Sequence, residues 1–211
     1  CPVAGGQLAR FDPTGVPEGV ELVALPHGVG VVAPTYWRAR QAATQLKVEW
    51  TAPPLAREST DSINAKMLAS LDSDAGQKAE TAGDVVDALP GAAKTLSATY
   101  SAPHLAHATM EPLNCTISFD AQARTASLWV GSQVPDLARA VAAHFLEIDP
   151  EQVTVHSTFL GGGFGRRLYT DFVAEAAQIC RATGHPIQLV WSREDDIRHD
   201  HYRPSAMMCF E

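Results

Sequence analysis

Cysteine is scarce and scattered: Cys1, Cys115, Cys180 and Cys209 are all the chain contains, and no two form a C-x-x-C pair. That usage speaks against a zinc ribbon, a thioredoxin motif or a cysteine-held iron–sulfur cluster in this chain. Isolated cysteines of this kind act as small buried hydrophobes. Basic residues are a minority, with Lys and Arg totalling 16 against 24 Asp and Glu, for a net charge of −8. Nucleic acid and anionic membrane surfaces both require a basic face, so neither is an expected partner. No apolar run reaches the roughly 18 residues that a membrane-spanning helix needs. Internal repeats and low-complexity tracts are absent too. No Met precedes Cys1 and no signal-peptide pattern follows it, so the chain reads as a processed product or an excised piece. What is present is enough apolar material for a core: hydrophobic residues make up 45 % and charged ones 19 % of 211 residues. That size suits one large or two small domains.

The first 54 residues predict a small β-β-α-β unit. Val20–Leu25 and Val29–Ala33 read as strands around a Pro26-His27-Gly28 turn. Thr35 can cap a helix to about Leu46, with Tyr36, Ala39, Ala43 and Leu46 at helical spacing, and 47–50 alternates as a short strand. Pro53-Pro54 closes the unit. Residues 55–93 are polar and helix-prone, broken by Gly76, Gly83 and Gly91, and read as a connector with helices near Ser59–Leu71 and Gly83–Leu89. From 94 onward, strands are expected at Thr95–Ser101, Leu113–Phe119, Thr125–Val130, 153–157 and Ile187–Trp191. Helices are expected at Pro135–Phe145, with Leu137, Val141, Phe145, Ala138 and Ala142 on one face, and at Tyr169–Arg181, stopped by Gly184. Residues 193–200 read as a charged loop or single turn. The succession is that of an α/β (α+β) fold.

Leu160-Gly-Gly-Gly-Phe-Gly-Arg-Arg167 stands between the 153–157 strand and the Tyr169 helix. Glycine there permits φ > 0 and close approach to the main chain, and free N–H groups ahead of a helix suit an anion or a polar cofactor. Neither nucleotide pattern fits. Counting G-x-G-x-x-G from Gly161 puts Arg166 at the sixth place, and the G-x-x-x-x-G-K-[ST] loop fails over Gly161–Leu168. A glycine turn that merely allows close packing is the plain alternative. Arg166 and Arg167 can pair with phosphate or carboxylate, or lie on the surface. The pairs His104/His107 and His199/His201 have the spacing of metal ligands but no third ligand nearby. Glu111 is either an acid–base group or an orienting acceptor. Gln133, just ahead of a helix, is either a polar cofactor ligand or a helix cap.

Taken in order, Tyr100-x-x-Pro103-x-x-x-His107-Ala-x-Met110-Glu111-Pro112-x-Asn114, Gly131-Ser132-Gln133-x-Pro135, Gly161-Gly162-Gly163-Phe164-Gly165, Ser192-Arg193-Glu194-Asp195-Asp196 and Arg203-Pro204 resemble the molybdenum-binding large subunit of the xanthine oxidase family of hydroxylases. The likeness is to isoquinoline 1-oxidoreductase β-subunits and bacterial aldehyde dehydrogenases of that family, and it covers nearly the whole chain. It implies a hammerhead-like α/β domain over 1–54, a helical connector over 55–93 and the N-terminal part of a molybdopterin-binding domain over 94–211. It also implies a molybdopterin cofactor, in the cytosine dinucleotide form usual in bacterial members. The reaction implied is hydroxylation of an aromatic N-heterocycle or oxidation of an aldehyde, with water as oxygen source. Electrons would leave to a small [2Fe-2S] subunit and, in some relatives, to cytochrome c, which points to the periplasm.

By the same resemblance Gln133, Gly162, Gly163, Phe164 and Gly165 contact the cofactor, while Phe164, Leu168 and Arg203 lie on the substrate side. No protein side chain ligates the metal directly. Xanthine oxidases carry a purine-binding Glu where Leu168 stands, so purine recognition is not expected here. The family's general-base Glu belongs to a segment beyond Glu211, which implies a fragment without turnover of its own. Two other readings stay open: a non-catalytic scaffold or cofactor-binding piece, and a nucleotide-binding domain.

Overall fold

Alternation and capping place most of the elements. The computed structural model describes all residues except 4, 54–56, 72 and 74–75. In chain order it contains β1 (Gln7–Asp12), β2 (Glu21–Leu25), β3 (Gly28–Val32), α1 (Tyr36–Gln45), β4 (Lys47–Thr51), α2 (Thr60–Leu71), α3 (Val85–Ala88), β5 (Ala98–Ala102), β6 (Asn114–Asp120), β7 (Thr125–Val130), α4 (Pro135–Leu146), β8 (Val153–Ser157), α5 (Asp171–Thr183), β9 (Ile187–Val190), α6 (Arg193–Arg198) and β10 (Ala206–Phe210). Packing divides it into two units, Cys1–Ala56 with Ala106–His201, and Arg57–Leu105 with Tyr202–Glu211.

The first unit is built on a four-stranded sheet of order β8-β7-β6-β9. β6 and β7 form an antiparallel hairpin, β9 runs antiparallel to β6, and β8 runs parallel to β7. A parallel neighbour requires a crossover, and α4 supplies it. The sheet's inward positions are Cys115 and Ile117 on β6 and Ala126, Leu128 and Val130 on β7. Against them pack Ala138, Ala142, Ala143 and Leu146 of α4, and Phe172, Val173, Ala176, Ala177, Ile179 and Cys180 of α5. Small residues on α4 let the two helices approach closely. Gly184 ends α5 in the left-handed region, its N–H bonded to the Cys180 carbonyl at 2.9 Å.

The β2–β3 hairpin turns through Pro26-His27 and leans on α5. A Cβ on Gly30 would lie 2.7 Å from Ile179 Cδ1, so glycine is what permits the contact. Thr35 caps α1 as expected, its Oγ1 accepting the Arg38 N–H. The buried face of α1 differs from the expected one, however. Ala42 is its buried residue, while Tyr36 and Ala43 are exposed. On α4, Leu137 is likewise exposed and Leu146 is buried instead. Both helices offer several apolar residues around their circumference, and the neighbour they meet selects the stripe.

One further element departs from expectation. β1 pairs with β4 through a bulge between Leu8 and Arg10, and that irregularity hides its alternation in the sequence. Of the loop or single turn expected at 193–200, residues 193–198 form the helical one, a short helix capped by the Ser192 hydroxyl, which accepts the Asp195 N–H at 3.1 Å.

In the second unit β5 pairs antiparallel with β10, Tyr100 opposite Met208, and Tyr100 meets Phe210 edge-on with ring centroids 5.8 Å apart. Asp84 caps α3 through the Asp87 N–H. None of this unit's described residues is buried. The expected break at Pro53-Pro54 falls partly outside the described residues.

Candidate functional site

Three loops of the first unit converge: the Thr109–Asn114 turn before β6, Gly131–Val134 between β7 and α4, and 158–165 between β8 and α5. The glycine segment follows a strand and precedes a helix, as its sequence context requires. The helix begins at Asp171 rather than Tyr169, because Arg166–Leu168 form a turn of 3₁₀-helix first. Gly162 and Gly165 both have φ of 100°, and Phe164, with φ of 52°, takes the left-handed conformation that L side chains resist.

Arg167 holds the convergence together. Its side chain is fully buried. Nε donates to the Gly162 carbonyl at 2.9 Å, Nη1 to the Gly131 carbonyl at 2.9 Å, and Nη2 to the Glu111 carbonyl at 3.0 Å and Oε2 at 2.8 Å. One planar guanidinium thus ties all three loops, a task its fixed fork of donors suits. Its own carbonyl receives the Gln133 N–H at 3.2 Å.

Glu111 completes the tie. Oε2 also accepts the Gly161 N–H at 2.8 Å, and Oε1 accepts from the Asn114 amide at 2.9 Å. Burial pushes this carboxyl up, but the Gly161 N–H, the Asn114 amide and Arg167 together hold it below the ordinary carboxylate value. Of the two roles open to Glu111, the geometry is that of an orienting acceptor. Arg166 is buried as well and forms a two-pronged pair with Asp171 at 2.9 and 2.7 Å. The surface alternative for these arginines is therefore incorrect: both are interior, and their charges are met by carboxylates of the fold.

Gln133 Oε1 accepts the Gly165 N–H at 3.1 Å, which fixes the amide and leaves its Nε2 hydrogens without a protein acceptor among the described residues. A Cβ on Gly163 would fall 2.5 Å from that Oε1, so the backbone and the Gln133 amide lie in direct contact. The N–H groups of Gly162, Gly163 and Phe164 also have no protein acceptor among the described residues, although Gly163 is buried. A buried main-chain donor without an acceptor is rare and calls for a partner. Phe164 and Leu168 flank these donors in the chain as exposed apolar side chains.

Arg203 belongs to the second unit, where its backbone bridges Leu105. The histidine pairs do not assemble a metal site, since the described residues contain no cluster of three or more metal-ligating side chains. His107 pairs with Asp200, and His201 stacks on Tyr169 with ring centroids 3.7 Å apart. Cys115 and Cys180 are buried, as expected of isolated cysteines, and burial pushes the Cys115 thiol up to about 12. Cys1 is partly exposed and Cys209 exposed. Arg167's tying role and Asp200 were not foreseen. For Arg167 the only sequence signal is a charged residue where the helix was expected to begin burying its face.

Residues 71–211 match the molybdopterin cofactor-binding domain, and the chain belongs to that family. It is 33 % identical to the beta subunit of isoquinoline 1-oxidoreductase from Brevundimonas diminuta, over 99 % of this chain and 28 % of that protein. To the aldehyde oxidoreductase molybdenum-binding subunit PaoC of Escherichia coli (strain K12) it is 29 % identical, over 84 % of this chain and 24 % of that protein. In fold it is similar to quinoline 2-oxidoreductase from Pseudomonas putida 86, with a TM-score of 0.66 at 18 % identity, covering 93 % of this chain and 30 % of that one. The chain thus spans less than a third of the length of each of these relatives.

Proposed function

We propose that the chain supplies one wall of the molybdopterin site of a molybdenum hydroxylase. The observation that carries this reading is the set of unspent donors: Gln133 Nε2 and the N–H groups of Gly162, Gly163 and Phe164. Oxygen-rich ligands of a bound cofactor are acceptors, and these four groups are donors, so the residues fit the group. When bound, the cofactor supplies two-electron redox chemistry with water as the source of oxygen.

The residues of this chain orient and exclude. Gln133 presents its amide hydrogens, fixed by Gly165. Gly162, Gly163 and Phe164 add backbone donors that need no reorganisation, because Arg167 and Glu111 already hold the loop. Phe164 and Leu168 offer apolar surface suited to an aromatic N-heterocycle or an aldehyde, and a leucine at 168 gives a purine no carboxylate to bind. The cofactor's cytosine dinucleotide form, a [2Fe-2S] partner subunit, a substrate-side role for Arg203 and the lack of turnover by these 211 residues alone are parts of the same proposal. A nucleotide site is disfavoured by the pairing of both arginines with carboxylates.

The test is metal and pterin analysis of the whole protein together with Gln133→Ala. Stoichiometric molybdenum and pterin are expected, with kcat lowered about 100-fold in the variant, the scale for losing one preorganised donor. Full activity in protein free of molybdenum would overturn the proposal.

A further inference from the structure

Asp200 is nearly inaccessible, with 2 % of its side chain exposed, and the His107 side chain is 9 % exposed. The Asp200 carboxylate accepts the His107 backbone N–H and faces His107 Nδ1 at 2.9 Å through one oxygen and 3.1 Å through the other. Arg166 Nε stands 3.1 Å from the same carboxylate, within ion-pair range but without hydrogen-bond geometry, which leaves that Nε the one buried side-chain polar atom lacking a hydrogen bond among the described residues. A carboxylate has no hydrogen to give, so Nδ1 carries the hydrogen of this bond and Asp200 accepts it. The ring's Nε2 has no hydrogen-bond partner among the described residues and lies 3.6 Å from the point a Cβ on Gly165 would occupy. Gly165 in turn donates its N–H to Gln133.

Asp200 thus holds His107, whose Nε2 lies on the side of Gly165 where a side chain would stand, and Gly165 in turn is bonded to the Gln133 amide. We propose that His107 is a positioning residue: held by Asp200 on one edge, its other edge seats the Phe164–Gly165 turn and so sets the orientation of Gln133. This deepens, and rests on, the reading of Gln133 as a cofactor-facing donor. A ring clamped by a buried carboxylate can hold a turn to a fraction of an ångström, where a freely rotating ring could not.

His107→Asn separates the two edges, because an asparagine amide keeps a donor near the Nδ1 position and removes the Nε2 side. In the whole protein we expect molybdenum and pterin content to stay at the wild-type level while kcat falls about 10-fold, with KM little changed, the signature of a small misplacement near the chemistry. The electron paramagnetic resonance spectrum of the molybdenum should shift as it does in Gln133→Ala. On the Gln133→Ala background, His107→Asn should lower kcat by less than about twofold more, because residues acting through one another are not additive. Independent, multiplicative losses in molybdenum-replete protein would overturn the inference alone, as would a wild-type spectrum for His107→Asn. Wild-type protein devoid of molybdenum and pterin would overturn the functional reading and this inference with it. If His107→Asn does not accumulate, the same cycle is run with Asp200→Asn, which keeps the shape but drops the charge, and multiplicative losses there count equally against the proposal.

Discussion

Residues 106–201 and the second unit, residues 57–105 with 202–211, each mix helices and strands, yet their interiors differ. In the first stretch β6, β7, α4 and α5 bury a continuous apolar cluster that includes Leu113, Ile117, Leu128, Phe172 and Val173. In the second, α2 buries no residue, and β5 with β10 makes a two-stranded ribbon carrying exposed Tyr100, Met208 and Phe210. A lone two-stranded ribbon is marginal in water, and a helix without a buried face draws little from packing. The donor set sits in the first unit for a physical reason. A strained turn such as Gly162–Gly165 persists only where the surroundings over-determine it, and a dry core with buried charge pairs provides that. The contrast teaches that regular secondary structure alone holds no site in place.

Arg167→Ala strikes the comparison hardest. It removes the donors to three carbonyls and leaves Glu111 without its cation, so a loss of about 3–5 kcal/mol is expected by chemical denaturation, at about 1–3 kcal/mol for each buried acceptor left without a donor. Arg167→Lys should recover only part, since an ammonium cannot span the three loops. Leu128→Ala tests the core beneath and should cost about 2–5 kcal/mol; a loss under about 1 kcal/mol would mean that the sheet is not packed as described.

Glu175 gives a pH-dependent test in the same unit. Burial pushes its carboxyl up to about 7 from 4.5, while the Trp191 indole N–H donates to it at 2.8 Å. Between those values the folded chain holds a proton that the unfolded chain has released, so stability falls as pH rises across that window and stays low above it. Glu175→Gln keeps an acceptor for Trp191 and should stabilise the chain by about 1–3 kcal/mol at pH 8 and hardly at all at pH 4, measured as the shift in denaturation midpoint. The smallest effect belongs to the second unit. Phe210→Ala should cost less than about 1 kcal/mol, because the ring is largely exposed, and a larger loss would show that the ribbon is better packed than its exposure indicates.

Much of the architecture was legible. Thr35 and Gly184 mark helix ends because their chemistry is local, a hydroxyl that caps and a glycine that tolerates positive φ. The alternation of 125–130 marks a strand for the same reason. The faces of α1 and α4 were not legible, since Ala39, Ala42 and Ala43, or Leu137 and Leu146, are all apolar enough to be buried and only the neighbour decides. Within the site, the glycine loop and Gln133 stood out as unusual residue types in an unusual order. Pairing of Arg167 with a carboxylate was legible too, and Glu111 bears it out; its burial was not, because a charged side chain in sequence carries no mark of being interior.

The amino-acid sequence by itself determined the order of elements, the side-chain-free loop at 161–165, the absence of a nucleotide pattern there and the family resemblance, all of which depend on neighbours in the chain. Only the tertiary structure decided that Glu111, Gly131 and Gly162, far apart in sequence, share one guanidinium. It likewise decided that Asp200 lies against His107, and that Gly163 is left with an unspent donor beside Gln133. Those outcomes depend on which buried polar groups find partners across the fold, and that is settled only when the sheet and its helices bring distant loops together.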